Sequence, residues 1–256
     1  MKQWAGMRWG MAAVLLCAVA AFAGNPAGDK KEKSKSLSQT VDSGSFGVFV
    51  KGQRVVTEVF HIQQENGNSS IKSQLKEAAG SPPIDQKSDL EITGSGELLR
   101  YEWSQGAPTA GSLIVLPNNE FLLEKITASA TGKAAEQPFL MPNTSMILDN
   151  NFFVHREVLA WKYLKGICQP SSGGGFKCRQ EQAEFGALVP QDRSSIRVRL
   201  ELVGREKVTI RGTERELMRL NLIGEGVDWA LWVDDNDQFK LMRIAIPADN
   251  TEVVRD

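Results

Sequence analysis

From Ser45 onward, apolar and polar positions mostly alternate. Ile196, Val198, Leu200 and Leu202 interleave with Arg197, Arg199 and Glu201, and Leu99, Tyr101 and Trp103 interleave with Arg100 and Glu102. Val227, Trp229, Leu231 and Val233 share one parity, as do Met242, Ile244 and Ile246. Successive side chains of a strand point to opposite faces, so this pattern puts one set against a core and the other toward water. An antiparallel sheet with one wetted face accommodates it. Turn signals divide the runs: Lys51-Gly52-Gln53, Glu65-Asn66-Gly67-Asn68, Gly94-Ser95-Gly96, Pro117-Asn118-Asn119, Val203-Gly204-Arg205, Arg211-Gly212-Thr213 and Asp234-Asp235-Asn236-Asp237. Their spacing of roughly ten residues predicts a mainly β fold of about 10–12 strands. A sheet that wide twists and curls, which predicts a strongly curved antiparallel sheet or an incomplete β-barrel.

One segment breaks the alternation. Phe152, Val158, Leu159, Tyr163 and Leu164 recur at helical spacing, Asp149-Asn150-Asn151 offers side-chain caps, and Gly166 sits where a helix would stop. The pattern predicts a single helix over about 151–165, packed in the concave face of the sheet, the one large apolar surface available to it.

The first 23 residues carry Lys2 and Arg8, then an apolar run from Met11 to Phe22, then Ala21-Phe22-Ala23 before Gly24. This reads as a signal peptide cut near Ala23/Gly24, which predicts a periplasmic or secreted protein. Two alternatives stay open: lipidation at Cys17, which Leu16 before it disfavours, and retention of the leader as an anchor. Residues 24–44, with Lys30-Lys31-Glu32-Lys33-Ser34-Lys35, hold few apolar side chains and read as a flexible Lys-rich linker; a charged arm that touches an acidic envelope surface is the alternative. The domain then spans 45–256. Losing Lys2 and Arg8 with the leader lowers the net charge from −1 to about −3, a balance that gives no concentrated basic face for nucleic acid. No run after the leader has about 18 consecutive apolar residues, so no transmembrane segment is expected there.

Chemistry-bearing motifs are sparse. Cys168 and Cys178 flank Gln-Pro-Ser-Ser-Gly-Gly-Gly-Phe-Lys, a loop able to bend back on itself, so in an oxidising compartment they are expected to form a disulfide. A redox dithiol or half a metal site are the alternatives, and the nine-residue spacing argues against the first. His61 and His155 are the chain's two histidines, too few and too isolated for a zinc site, and each reads as a packing residue. Asp234, Asp235 and Asp237 lack the Gly and Glu of a helical calcium loop and read as a solvated hairpin turn, with weak cation binding as the alternative. No Gly-x-Ser-x-Gly elbow or phosphate loop is present, and no metal or cofactor site is expected.

Five stretches resemble uncharacterised secreted bacterial all-β proteins: Gly52–Phe60 (Gly-Gln-Arg-Val-Val-Thr-Glu-Val-Phe), Leu148–Phe153, Leu188-Val189-Pro190-Gln191, Leu231-Trp232-Val233-Asp234 and Glu252-Val253-Val254-Arg255. Such proteins are similar in architecture to the periplasmic LolA/LolB-like lipoprotein carriers. The resemblance implies an incomplete barrel with a helix in its opening, a concave face able to shelter an acyl chain, and no catalytic residues. A helix of about 22 Å leaves part of the concavity open for an apolar ligand. The expected lining is Tyr101, Trp103, Phe152, Leu159, Val198, Leu200, Trp229 and Leu231, or all eight are plain core. The primary expectation is a non-enzymatic envelope protein that binds a lipid or other apolar ligand. The alternatives are an envelope scaffold that binds a partner protein at strand edges or through the tether, and a hydrolase.

Overall fold

The computed structural model describes residues 38–77, 84–106, 109–128, 132–172 and 175–256. The expected signal peptide and most of the expected linker lie outside them. The first eight strands are β1 (Gln39–Val50), β2 (Gln53–Glu65), β3 (Asn68–Glu77), β4 (Gln86–Thr93), β5 (Leu98–Gln105), β6 (Gly111–Asn118), β7 (Phe121–Thr127) and β8 (Ala135–Phe139). The two-residue β9 (Met146–Ile147) leads to helix α1 (Val154–Ile167), followed by the small ribbon β10 (Cys168–Pro170) and β11 (Phe176–Cys178). The chain ends with β12 (Gln182–Val189), β13 (Ser194–Ile210), β14 (Thr213–Gly224), β15 (Val227–Asp234), β16 (Lys240–Ile246) and β17 (Thr251–Arg255).

Fifteen of these strands form one sheet in the order β8-β7-β6-β5-β4-β3-β2-β1-β17-β16-β15-β14-β13-β12-β9. The fold is thus two meanders joined where the first and last strands meet, with Phe46 opposite Arg255 and Val50 opposite Thr251. Pairing is antiparallel except for β9 on β12. Tight hairpins follow from local chemistry: Lys51-Gly52 and Asn66-Gly67 both hold two successive positive φ angles, the turn whose twist matches the flanking strands.

The sheet is not closed into a barrel, but its ends lie near each other. The two edge strands, β8 and β9, are consecutive in the chain and separated only by residues 140–145. A link that short spans at most about 25 Å, so the sheet must bend round until its edges nearly meet. Inside the bend, residues of both meanders and the helix share one core, including Phe46, Ile62, Leu90, Leu122, Leu188, Leu200 and Ile244 with Leu159 and Leu164.

A second, smaller core lies on the other face. Between Leu202 and Gly204 the pairing of β13 with β14 shifts by one residue. A one-residue bulge exchanges the two faces for everything beyond it. Val208 and Ile210 therefore turn outward and meet Leu217, Trp232 and Met242. Trp229, of opposite parity to Trp232, packs against the main core, so the two tryptophans face opposite ways as their spacing requires.

Three sequence expectations are corrected. The strands number seventeen among the described residues, not ten to twelve, because β9, β10 and β11 are too short to show a periodicity and β8 (Ala-Glu-Gln-Pro-Phe) and β17 (Thr-Glu-Val-Val-Arg) do not alternate. The linker does not extend to Gly44: β1 starts at Gln39, and Asp42 is buried beneath Arg255 although its neighbours look like tether. The helix is Val154–Ile167 rather than 151–165. Gly166 lies within it, and Cys168 ends it by entering an extended conformation. Asp149 does not cap the helix; its Oδ1 accepts the Asn151 N–H at 2.7 Å.

Where the meanders join, Arg255 holds three elements together. Its guanidinium donates to Asp42 Oδ2 of β1 at 2.5 Å, to both carboxylate oxygens of Glu157 of α1 at 3.4 Å and to the Leu241 carbonyl at 3.2 Å. It also lies 5.1 Å from the Phe60 ring centre and 5.6 Å from that of Phe46. Removing the cation would leave two buried carboxylates without it. Arg255→Met is expected to lower the unfolding free energy by about 3–5 kcal/mol in urea titrations. Arg54→Met, at the more exposed pair with Asp256, is expected to cost less than about 1 kcal/mol.

Candidate functional site

The start of α1 is buried on every side. Successive helical residues point about 100° apart, and His155, Arg156 and Glu157 are 0%, 3% and 0% exposed. Each polar side chain therefore needs its own partner from a different part of the surroundings. Glu157 meets Arg255, and its carboxyl also accepts the Leu241 N–H at 3.3 Å. Burial pushes this carboxyl well above its ordinary range, and Arg255 draws it back. The Arg156 guanidinium donates to the carbonyls of Asp149 and Phe152 and stacks 4.9 Å from the Trp229 ring. Burial lowers its pKa to about 10, against the pull of Asp149 and Glu58.

The helix N-terminus is closed by a residue of β2. Glu58 is fully buried, and its carboxylate accepts the N–H groups of Phe153 at 2.6 Å and Val154 at 3.3 Å and the Ser73 hydroxyl at 2.7 Å. The two N–H groups are donors that no helix satisfies internally. Burial raises the Glu58 pKa to about 7, and the Ser73, Phe153 and Val154 hydrogen bonds hold it from going higher. Beside it, Asp149 accepts the Tyr101 hydroxyl and the Gln191 amide. His155 Nδ1 accepts the Asp149 N–H at 3.4 Å, and Nε2 has no partner. Burial, with Arg156 adjacent, lowers the His155 pKa to about 3, so the ring is neutral.

The residue types here suit acid–base chemistry, but the cluster is sealed. Tyr101, Asp149 and His155 are each 0% exposed, so substrate has no access to it. His61 lies on the outer face of the sheet, among the lining of a groove of about 600 Å³ with Asp89 and Trp103. Lys72 stands between it and Asp89 in the cross-strand row His61–Lys72–Asp89–Glu102. Two strand spacings separate His61 from Asp89, about 10 Å, and Asp89 is engaged by Lys72 and Ser70. No nucleophile–base–acid relay forms there.

Of the eight expected lining residues, Tyr101, Phe152, Leu159, Val198, Leu200 and Leu231 are 0–1% exposed and close-packed. Trp103 and Trp229 are half-buried against the same core. Cys168 and Cys178 are disulfide-bonded and join β10 to β11. Among the described residues, no group of three or more His, Cys, Asp or Glu is arranged to hold a metal ion.

The open side of the sheet is different in character. Beside residues 140–145 lies a groove of about 910 Å³ lined by Leu140, Met141, Pro142, Phe185 and Ile196, with Lys162, Glu184, Arg197 and Glu225 among its polar members. Leu140 is 78% exposed, the most exposed large hydrophobic side chain of the described residues. Lys162 holds the groove's inner wall in place. Its ammonium donates to the Thr144 carbonyl at 2.8 Å and the Gly96 carbonyl at 3.0 Å, tying the helix to the linking loop and to the β4–β5 turn.

The sequence reading missed Glu58, Glu124, Glu157 and Arg255 as interior groups. For the strand residues a signal was there: Glu58 shares parity with Phe60 and Ile62, and Glu124 with Leu122 and Ile126. An acid on the apolar parity of a strand is a buried acid. No protein-family model, curated protein or solved structure matches this chain. Function therefore rests on the geometry.

Glu124 is 0% exposed, and neither carboxylate oxygen has a hydrogen-bond partner. Burial raises its pKa to about 7, with Arg193 pulling the other way. Because the folded value lies above the ordinary 4.5, its contribution to stability is complete below that value and is lost as pH rises through 7. Glu124→Gln, which mimics the protonated group, is expected to stabilise the fold at pH 8 by about 1–3 kcal/mol and to change little at pH 4.5. Urea unfolding at the two pH values measures this; an equal effect at both would refute it.

Proposed function

We propose that this protein is a non-enzymatic binding protein of the cell envelope, and that it takes an apolar partner in the groove at the open side of its sheet. The observation that carries the proposal is that groove of about 910 Å³, with Leu140 held 78% exposed at its rim. Monomeric proteins do not commonly hold large apolar side chains in water beside a concavity unless something docks there. The disulfide supports an oxidising compartment. A ligand in the concave face itself would have to displace α1, whose first turn is tied to β2, β16 and β17 through Glu58, Leu241 and Arg255. The gap needs no such displacement. The sealed His155 cluster and the interrupted His61 row support a role without catalysis.

A solvatochromic apolar dye titrated onto the purified protein tests the site. The dye should brighten, and Leu140→Asp should weaken its binding at least about tenfold, or about 1.4 kcal/mol. The melting temperature should not change, because Leu140 is exposed. Dye binding insensitive to Leu140→Asp, or absent altogether, would contradict the proposal.

A further inference from the structure

Resting on the reading of the gap as the binding surface, we infer that its occupant is an extended peptide segment of a partner protein, added as a strand to the free edge of β12. β12 pairs along its whole length with β13, from Gln182 opposite Glu201 to Val189 opposite Ser194. On its other side β9 reaches only Ala187 and Leu188. Gln182 to Gly186 have no strand beside them among the described residues, which leaves an edge about 17 Å long at 3.3 Å per residue.

Such an edge presents backbone N–H and C=O groups at strand spacing. An acyl chain offers nothing to pair with them. An extended polypeptide offers matching donors and acceptors, which is the basis of recognition by strand addition. The apolar groove runs along the same stretch, since Glu184, Phe185 and Gly186 belong to its lining and Leu140 and Met141 stand across it. The period-two geometry of β12 specifies the partner's side chains. Phe185, opposite Val198, and Ile196, opposite Ala187, lie on the core parity, whereas Glu184 and Arg197 lie on the outer one. The incoming segment therefore has apolar residues at alternate positions, toward Phe185 and Ile196, with polar or charged residues between them.

The test pans a phage-displayed library of random twelve-residue peptides against the full chain and synthesises the enriched sequences. Two readouts follow. Hydrogen exchange should show new protection in residues 182–186 on peptide binding. Backbone N-methylation, which removes one donor of the peptide at a time without touching the protein, should weaken binding at least about tenfold at positions of one parity and leave it unchanged at the other. Absence of any enriched peptide, protection elsewhere, or indifference to N-methylation would overturn the inference. If a fatty-acid probe binds in a Leu140-dependent manner while no peptide does, the groove stands and the strand is refuted. If neither binding depends on Leu140, the groove itself is refuted.

Discussion

The carboxylate of Glu58 at the first turn of α1 is the interaction on which the rest of the structure depends. A helix enclosed by a curved sheet cannot leave its terminal N–H groups to water, and no residue before Val154 supplies a cap of its own. A strand residue 95 positions earlier does so. This contact fixes the depth and direction of the helix inside the bend. Once the helix is fixed, Arg156 and Glu157 are committed to the interior, and Trp229 and Arg255 become obligatory partners. The interior is filled by these mutually dependent polar contacts as well as by apolar packing.

The topology turns this into a functional geometry. The two meanders meet at β1 and β17, where Arg255 gathers Asp42 and Glu157, and they diverge toward β8 and β9. The join is rich in buried charge pairs. The opposite side is spanned by a six-residue loop held by Lys162. A molecule built this way has one sealed side and one open side, and the open side carries Leu140, the most exposed large apolar side chain of the described residues, beside an unpaired stretch of β12. Binding there would leave the buried charges undisturbed, whereas binding within the concave face would separate them.

Much of the fold was legible in the sequence because it rests on local signals. Period-two runs such as Ile196–Leu202 and turns such as Asn66-Gly67 gave the mainly β architecture, the helix was located to within a few residues, and the spacing of Cys168 and Cys178 anticipated the disulfide. The misreadings arose where a residue's partner is distant in sequence. Asp42 looked like tether because Arg255, which buries it, lies 213 residues away. Asp149 looked like a helix cap because the cap from Glu58 is invisible to a local reading. The groove was not foreseen, because it is made by residues of the 140–145 loop, α1, β12 and β13 that adjoin only after the sheet has bent. Leu140 gave no warning: the short apolar run Phe139-Leu140-Met141 between two prolines carries no periodicity.

The central claim is that α1 is a fixed part of the interior and not a removable lid over a cavity. Native-state hydrogen exchange measured against denaturant tests it most directly. The account predicts that the amides of α1 exchange only through global unfolding, with the same free energy and denaturant dependence as the central strands β1 and β17. Exchange of the helix amides through a smaller opening, while β1 and β17 stay protected, would contradict it.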